Sequence, residues 1–139
     1  ILACAGLIRL GFEDRIGAAI DPHLSLPAAG QGAVGIEFRE ADQRVRDLLG
    51  SLHHDGTAAR VLAERAVVRR LDGGCDVPIA AFAEWEGDGL WLRARVGATD
   101  GTTLLEAEAR GSDPEQLGLD VAESLLSQGA EDLIHAARG

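Results

Sequence analysis

Three stretches of alternating apolar residues, separated by Asp-Gly turns, constrain this chain more than any other feature. Leu90, Leu92, Ala94 and Val96 alternate with Trp91, Arg93 and Arg95, the period of two kept by a half-buried strand. The stretch before it, Val77 to Glu86, leads in through Gly87-Asp88-Gly89, and the stretch after it, Thr103 to Arg110, follows Thr99-Asp100-Gly101. Turns of this kind join neighbouring antiparallel strands. Helical patterns flank the three. Thr57 can cap a helix that runs to about Leu71 and ends at Gly73-Gly74. Asp113-Pro114-Glu115-Gln116 starts another, with proline at the first helical position and a glutamine placed for a capping box. Leu117, Val121 and Leu125 carry its apolar face towards Gly129, and Ala130, Leu133, Ile134 and Ala137 share one side of a short last helix. The expected fold class is α+β: residues 55–139 form a three-stranded antiparallel sheet with about three helices.

Residues 1–54 do not close on themselves. Residues 1–20 read as helical pieces, with Ala3, Leu7 and Leu10 on one face, Cys4 in the core and Gly11 as a stop. Asp21-Pro22-His23 and Pro27 break regular structure. Val34, Ile36 and Phe38 alternate with Gly35 and Glu37 as a strand would; Ala41, Val45, Leu48, Leu49 and Leu52 then recur at helical spacing. A lone strand in this half has no ladder partner, so its backbone groups need a sheet from elsewhere. The chain also opens on isoleucine and contains no methionine, and the expectation is that further sequence lies upstream. His53-His54-Asp55-Gly56 reads as a polar hinge between the halves.

Length and charge exclude several function classes. The 139 residues suffice for one ordinary core, or for one core plus a fragment of another. A net charge of −10 argues against general nucleic-acid binding, which needs a cationic surface. No apolar run approaches the roughly 18 residues that span a bilayer, and Arg9 interrupts the apolar start. Two distant cysteines make no disulfide framework and point to a reducing cytoplasm. His53 and His54 are adjacent and so do not share a helix face, and no cysteine–histidine cluster has zinc spacing; no metal is expected.

Two segments could carry chemistry. Gly30-Gln31-Gly32-Ala33-Val34-Gly35 has the spacing of a dinucleotide fingerprint. That mechanism needs a strand before the loop and a helix after it, whereas here Pro27 precedes and a strand pattern follows. A crossover whose bare amides can approach a ligand fits better. The second segment is Gly73-Gly74-Cys75-Asp76-Val77-Pro78. A free cysteine is most commonly a small buried hydrophobe. Here two glycines open the backbone to a ligand and Pro78 stiffens the exit. A helix C-terminus and Asp76 disfavour the thiolate, with Arg69 and Arg70 as a partial offset, so Cys75 is a poor turnover nucleophile. It suits a sulfur that reacts once and keeps its product. A thiol redox or acyl-transfer role lacks a nearby general base, and a non-enzymatic α+β binding or regulatory domain explains residues 55–139 equally well.

Together, and in this order, the two segments resemble the porphobilinogen deaminase (hydroxymethylbilane synthase) family, over essentially the whole chain. The resemblance implies three domains, the first two α/β and similar to periplasmic binding proteins. Residues 1–26 would end domain two, residues 27–54 would be the crossover and return segment of domain one, and residues 55–139 would be the third domain. The implied reaction condenses four porphobilinogen molecules to hydroxymethylbilane with release of ammonia, in haem biosynthesis. Cys75 would carry a covalent dipyrromethane cofactor through a thioether, with Gln31 and Gly32 near the pyrrole chain. Arg9, in Ala5-Gly6-Leu7-Ile8-Arg9-Leu10-Gly11, would hold substrate carboxylates. The catalytic aspartate would lie upstream, with no catalytic residue in this segment, which alone would be inactive. The implied partners are porphobilinogen and the missing N-terminal part of the same enzyme, a cytoplasmic monomer when full length. Asp76 stands where the family signature has glutamine, and Phe38 where a cysteine is common.

Overall fold

Four residues of the central strand decide the sheet. Leu90, Leu92, Ala94 and Val96 are each at most 1 % exposed, all on one side. The computed structural model describes residues 1–74 and 76–139. In chain order the elements are α1 (Cys4–Arg9), a single 3-10 turn (Glu13–Arg15), α2 (Gln43–Gly50), α3 (Asp55–Arg70), β1 (Ile79–Glu86), β2 (Gly89–Gly97), β3 (Leu104–Gly111), α4 (Pro114–Ser127) and α5 (Ala130–Arg138). The three strands form one antiparallel sheet in the order β1-β2-β3, as the alternation and the turns require. Pairing of Glu86 with Gly89 leaves Gly87 and Asp88 as a two-residue turn, and Gly87 takes the positive φ of +61° that a II′ turn needs at its first position.

α3 and α4 cover the apolar side of the sheet. Ala63 and Val67 from α3, and Leu117, Val121 and Leu125 from α4, join the strand residues in one core. The two helices touch at Gly118, where an added Cβ would lie 2.5 Å from the Ala63 carbonyl oxygen, 3.2 Å from the Val67 nitrogen and against the Ala66 methyl. α5 follows Gly129 and buries Ala130 and Ile134.

The helix starts differ in detail from the sequence expectation. Asp113 caps α4 by accepting from the Gln116 amide at 3.0 Å, with Pro114 in the first turn. The Gln116 side chain does not complete a capping box; it donates to Asp120 at 2.8 Å, one turn on. In α3 the cap is His54 rather than Thr57. Its Nδ1 accepts from the Thr57 amide at 3.1 Å, so an imidazole does the work expected of a hydroxyl two residues after the true helix start.

The first half contributes little to the core. α1, the 3-10 turn and α2 bury no residue. Cys4 is half-buried, not core: α1 buries no residue and rests chiefly on the 3-10 turn that follows it. The strand expected at Ala33–Phe38 does not form: the sheet has three strands, and without a partner ladder the segment stays unpaired, with Val34 91 % exposed. α2 appears where the periodicity put it, capped by Asp42, yet its Leu48 remains largely exposed.

Residues 21–30 are the exception, because they strap the second half. The His23 carbonyl accepts from Arg95 Nη2 at 3.2 Å and its ring Nδ1 meets Arg93 Nη1 at 3.3 Å. Alternation puts Arg93 on the outer face of the sheet, yet it is buried there, stacked over Trp91 at 4.0 Å and paired with Glu84. The strap then rounds the open edge of β1, where the Pro27 carbonyl accepts from the Ala81 amide at 3.1 Å. It finishes on the helix layer: Glu64 of α3 accepts from the Gly30 amide at 2.6 Å and from the Ala83 amide at 2.9 Å.

Gly118→Ala tests the helix contact. The new methyl meets backbone on a rigid neighbour and cannot be relieved by a rotamer change, so the expected cost is about 2–3 kcal/mol. A thermal melt should fall by roughly 10 °C or more, and an unchanged melt would contradict the packing.

Candidate functional site

The strap delivers one of the two candidate segments. Between Leu26 and Ala33 the chain makes two successive turns, with Gln31 N donating to Ala28 O and Ala33 N to Gly30 O, each at 3.1 Å. Gly30 (φ +72°) and Gly32 (φ +83°) adopt left-handed conformations that glycine reaches without strain. Neither a preceding strand nor a following helix N-terminus flanks this loop, so the dinucleotide arrangement is absent from it. The Gln31 side chain folds back and accepts from the Ala28 amide at 3.2 Å. Beside the loop lies an open cavity of about 910 Å³, bounded by Gly30, Gly32, Ile36, Phe38, Val61 and Arg65.

The second segment leaves α3 through a Schellman motif. The Gly73 amide donates to Val68 O at 2.9 Å and the Asp72 amide to Arg69 O at 3.2 Å. The left-handed residue is Asp72 (φ +51°) and not one of the two glycines. Arg138 of α5 holds it, donating to its carboxylate at 3.0 Å and to its carbonyl. Gly73 is required for a different reason than access. A Cβ there would lie 2.5 Å from Ile79 Cδ1 and 3.3 Å from Val68 Cγ1, so the space left by its missing side chain is filled by core residues. At Gly74 the corresponding space is taken by the Asp76 carboxylate. Cys75 itself lies outside the described residues. Arg69 forks onto Glu115 at 2.7 and 2.8 Å, and Arg70 reaches Glu123 at 2.6 Å, tying α3 to α4.

Arg9 sits in the last turn of α1, exposed, and makes no side-chain hydrogen bond or ion pair among the described residues. α1 rests chiefly on the 3-10 turn that follows it, so Arg9 is not brought to the Gln31 loop by packing. His53 and His54 serve the hinge, His54 as the cap and His53 in a 3.2 Å contact with Asp55. Among the described residues there is no group of three metal-ligating side chains, and no helix long and apolar enough to cross a membrane.

Comparison with known families separates the same two halves. Residues 1–47 match the porphobilinogen deaminase, dipyromethane cofactor binding domain, and residues 58–127 match the porphobilinogen deaminase, C-terminal domain. The chain belongs to the porphobilinogen deaminase family. The function of such a porphobilinogen deaminase is hydroxymethylbilane synthesis, an enzymatic step of tetrapyrrole biosynthesis on porphobilinogen, and its cofactor is dipyrromethane. Of the described segments, the Gln31 loop falls within the first match, while the Gly73-Gly74 turn falls within the second.

Glu64 is the residue that sequence reasoning missed. It lies within the helix that separates the two candidate segments and is only 5 % exposed. Burial pushes its carboxyl above the ordinary value of 4.5, and the Ala83 amide, the Gly30 amide and the charge of Arg60 oppose that shift without cancelling it. The folded chain therefore keeps this proton to higher pH than the unfolded chain does. The associated stability is fully present below about pH 4.5 and is lost as pH rises through the folded value. Urea midpoints of the native chain and Glu64→Gln should accordingly diverge. The native chain should lose stability relative to the variant as pH climbs from about 4 towards neutrality, whereas a pH-independent difference would refute the burial effect.

Proposed function

We propose that this chain supplies the cofactor-attachment part of a hydroxymethylbilane synthase, a transferase, with Cys75 as the atom that holds the dipyrromethane. In this reading Gln31 and Gly32 contact the pyrrole chain and Arg9 binds a substrate carboxylate. One observation carries it: both chemistry-bearing segments are anchored on α3, the Gly30 loop at Glu64 and the Gly73-Gly74 turn at Val68. A binding module with no attached cofactor gives no reason for that convergence.

The surroundings suit the group. The cavity beside Gly32 is several times the minimum for a small-molecule site, and an added Cβ at Gly32 would touch nothing within 4 Å, so the loop leaves room at that point. Arg65 lines the cavity, exposed and without an ion pair among the described residues, a cation of the kind that acetate and propionate groups require. When bound, the dipyrromethane supplies the free pyrrole carbon from which chain growth starts. Cys75 would hold it, and its place after a helix C-terminus beside Asp76, with Arg69 and Arg70 committed elsewhere, favours a stable thioether over repeated turnover.

The finer assignments rest on the same ground. Val34, Ile36, Leu48 and Leu52 are more than half exposed, and the unpaired segment that carries Val34 and Ile36 has free ladder groups. Residues 1–26 and 27–54 are therefore read as segments of two α/β domains, completed by other parts of the enzyme that bring the catalytic aspartate. The assembled enzyme is read as a cytoplasmic monomer.

Intact-mass measurement of the active holoenzyme should show two pyrrole units added to the protein, with a positive Ehrlich colour, and Cys75→Ser should abolish both. An unmodified mass in active enzyme would overturn the attachment. Porphobilinogen consumption by the 139 residues alone should be undetectable, since none of the described carboxylates forms a paired acid–base site in a cleft.

A further inference from the structure

Glu64 is expensive where it stands. A carboxylate removed from water loses solvation that only excellent hydrogen bonding returns, and no cation makes an ion pair with it among the described residues. Its partners are two backbone amides distant in sequence, Gly30 N at 2.6 Å and Ala83 N at 2.9 Å. Ala83 lies on the open edge of β1, where a single water or a hydroxyl side chain would satisfy one amide as well. What a smaller or singly accepting group could not do is reach both the strand and the loop from one helix position.

The Gly30 end of this bridge is the consequential one. Leu26 and Ala29 pack into the second half, and Pro27 O takes the Ala81 amide. Past Ala29, the Gly30 amide is held by Glu64; Gly30 and Gly32 border the cavity, and the Gln31 side chain between them folds back onto the Ala28 amide. Ala33 to Phe38 make no strand. The same helix runs on from Glu64 to Arg70, about 9 Å at 1.5 Å per residue, to the turn that leads into Cys75. One rigid element thus holds the loop at Gly30 and the Asp72-Gly73 turn at its end.

We propose that Glu64 is a positioning residue for the reaction: its carboxylate sets the register of the Gln31–Gly32 loop relative to the cofactor cysteine, using α3 as the spacer. This rests on the reading that Gln31 contacts the pyrrole chain. Glu64 does not touch substrate or cofactor itself; it acts through Gly30.

A double-mutant cycle in the holoenzyme tests it. Glu64→Gln keeps the volume and one acceptor but replaces the second with an NH₂ group, so the two amides can no longer both be bound. The expectation is a fall in kcat/KM of roughly 10- to 100-fold for Glu64→Gln, with the cofactor still attached. Gln31→Ala should cause a comparable loss, and the double variant should lose little more than either single variant, because both act through one loop. Additive losses would overturn the proposal while leaving the Gln31 reading intact. A fully active Gln31→Ala enzyme would overturn that reading and the proposal with it. Amide exchange gives a check on the unaltered chain and its variant. Gly30 should be protected in the native chain and exchange about tenfold faster or more in Glu64→Gln, with Ala83 still slow; a Gly30 amide that exchanges freely in the native chain would also overturn the proposal.

Discussion

A buried carboxylate must be met by donors, and an edge strand presents donors with no strand to receive them. Glu64 joins these two requirements. Its oxygens take the Ala83 amide from the edge of β1 and the Gly30 amide from the strap, so each group removes the liability of the other. With Pro27 O on the Ala81 amide, the edge is closed without a fourth strand. The strap from His23 to Gly30 is thereby fixed at the outer face, the edge and the helix layer of a domain to which it does not belong by sequence continuity.

That attachment explains why the two halves of this porphobilinogen deaminase chain differ so much in order of packing yet share one chemistry. Residues 55–139 hold nearly all the core, built on β2 and on two helices close enough that Gly118 has no room for a methyl. Residues 1–54 leave Val34, Leu48 and Leu52 largely exposed and contribute Leu26, at 9 % exposure, as their one buried residue among those described. Folding energy therefore resides in the second half, and the first half is positioned by hydrogen bonds and by a few anchored residues. The arginines follow the same division. Arg69, Arg70 and Arg138 are spent on Glu115, Glu123 and Asp72, pulling the end of α3 towards α4 and α5, while Arg9 and Arg65 remain exposed.

Much of the second half was legible because its signals are local. The period-two alternation of Leu90 to Val96 reports a half-buried strand wherever it occurs, and Asp113-Pro114 starts a helix through its own backbone amides. His54 displaced Thr57 as a cap because a ring nitrogen can accept an amide when the backbone turns one way rather than another. Gly73 looked like an opening for a ligand but is a hole filled by Ile79, a residue beyond the turn. Arg93 alternates away from the core side of β2, and it is nonetheless buried, with His23 from far upstream against it.

Sequence alone therefore determined the α+β class and the order of strands and helices, which depend on residues within a turn or two of one another, and the family to which the Cys75 and Gln31 segments point by their order along the chain. Only the tertiary structure could decide that the expected strand at Ala33–Phe38 stays unpaired, that Cys4 is not core, and that Glu64 joins loop, strand and helix. Those outcomes turn on whether distant segments meet: pairing, burial and the solvation of a charge are properties of neighbours in space, which spacing along a chain does not encode.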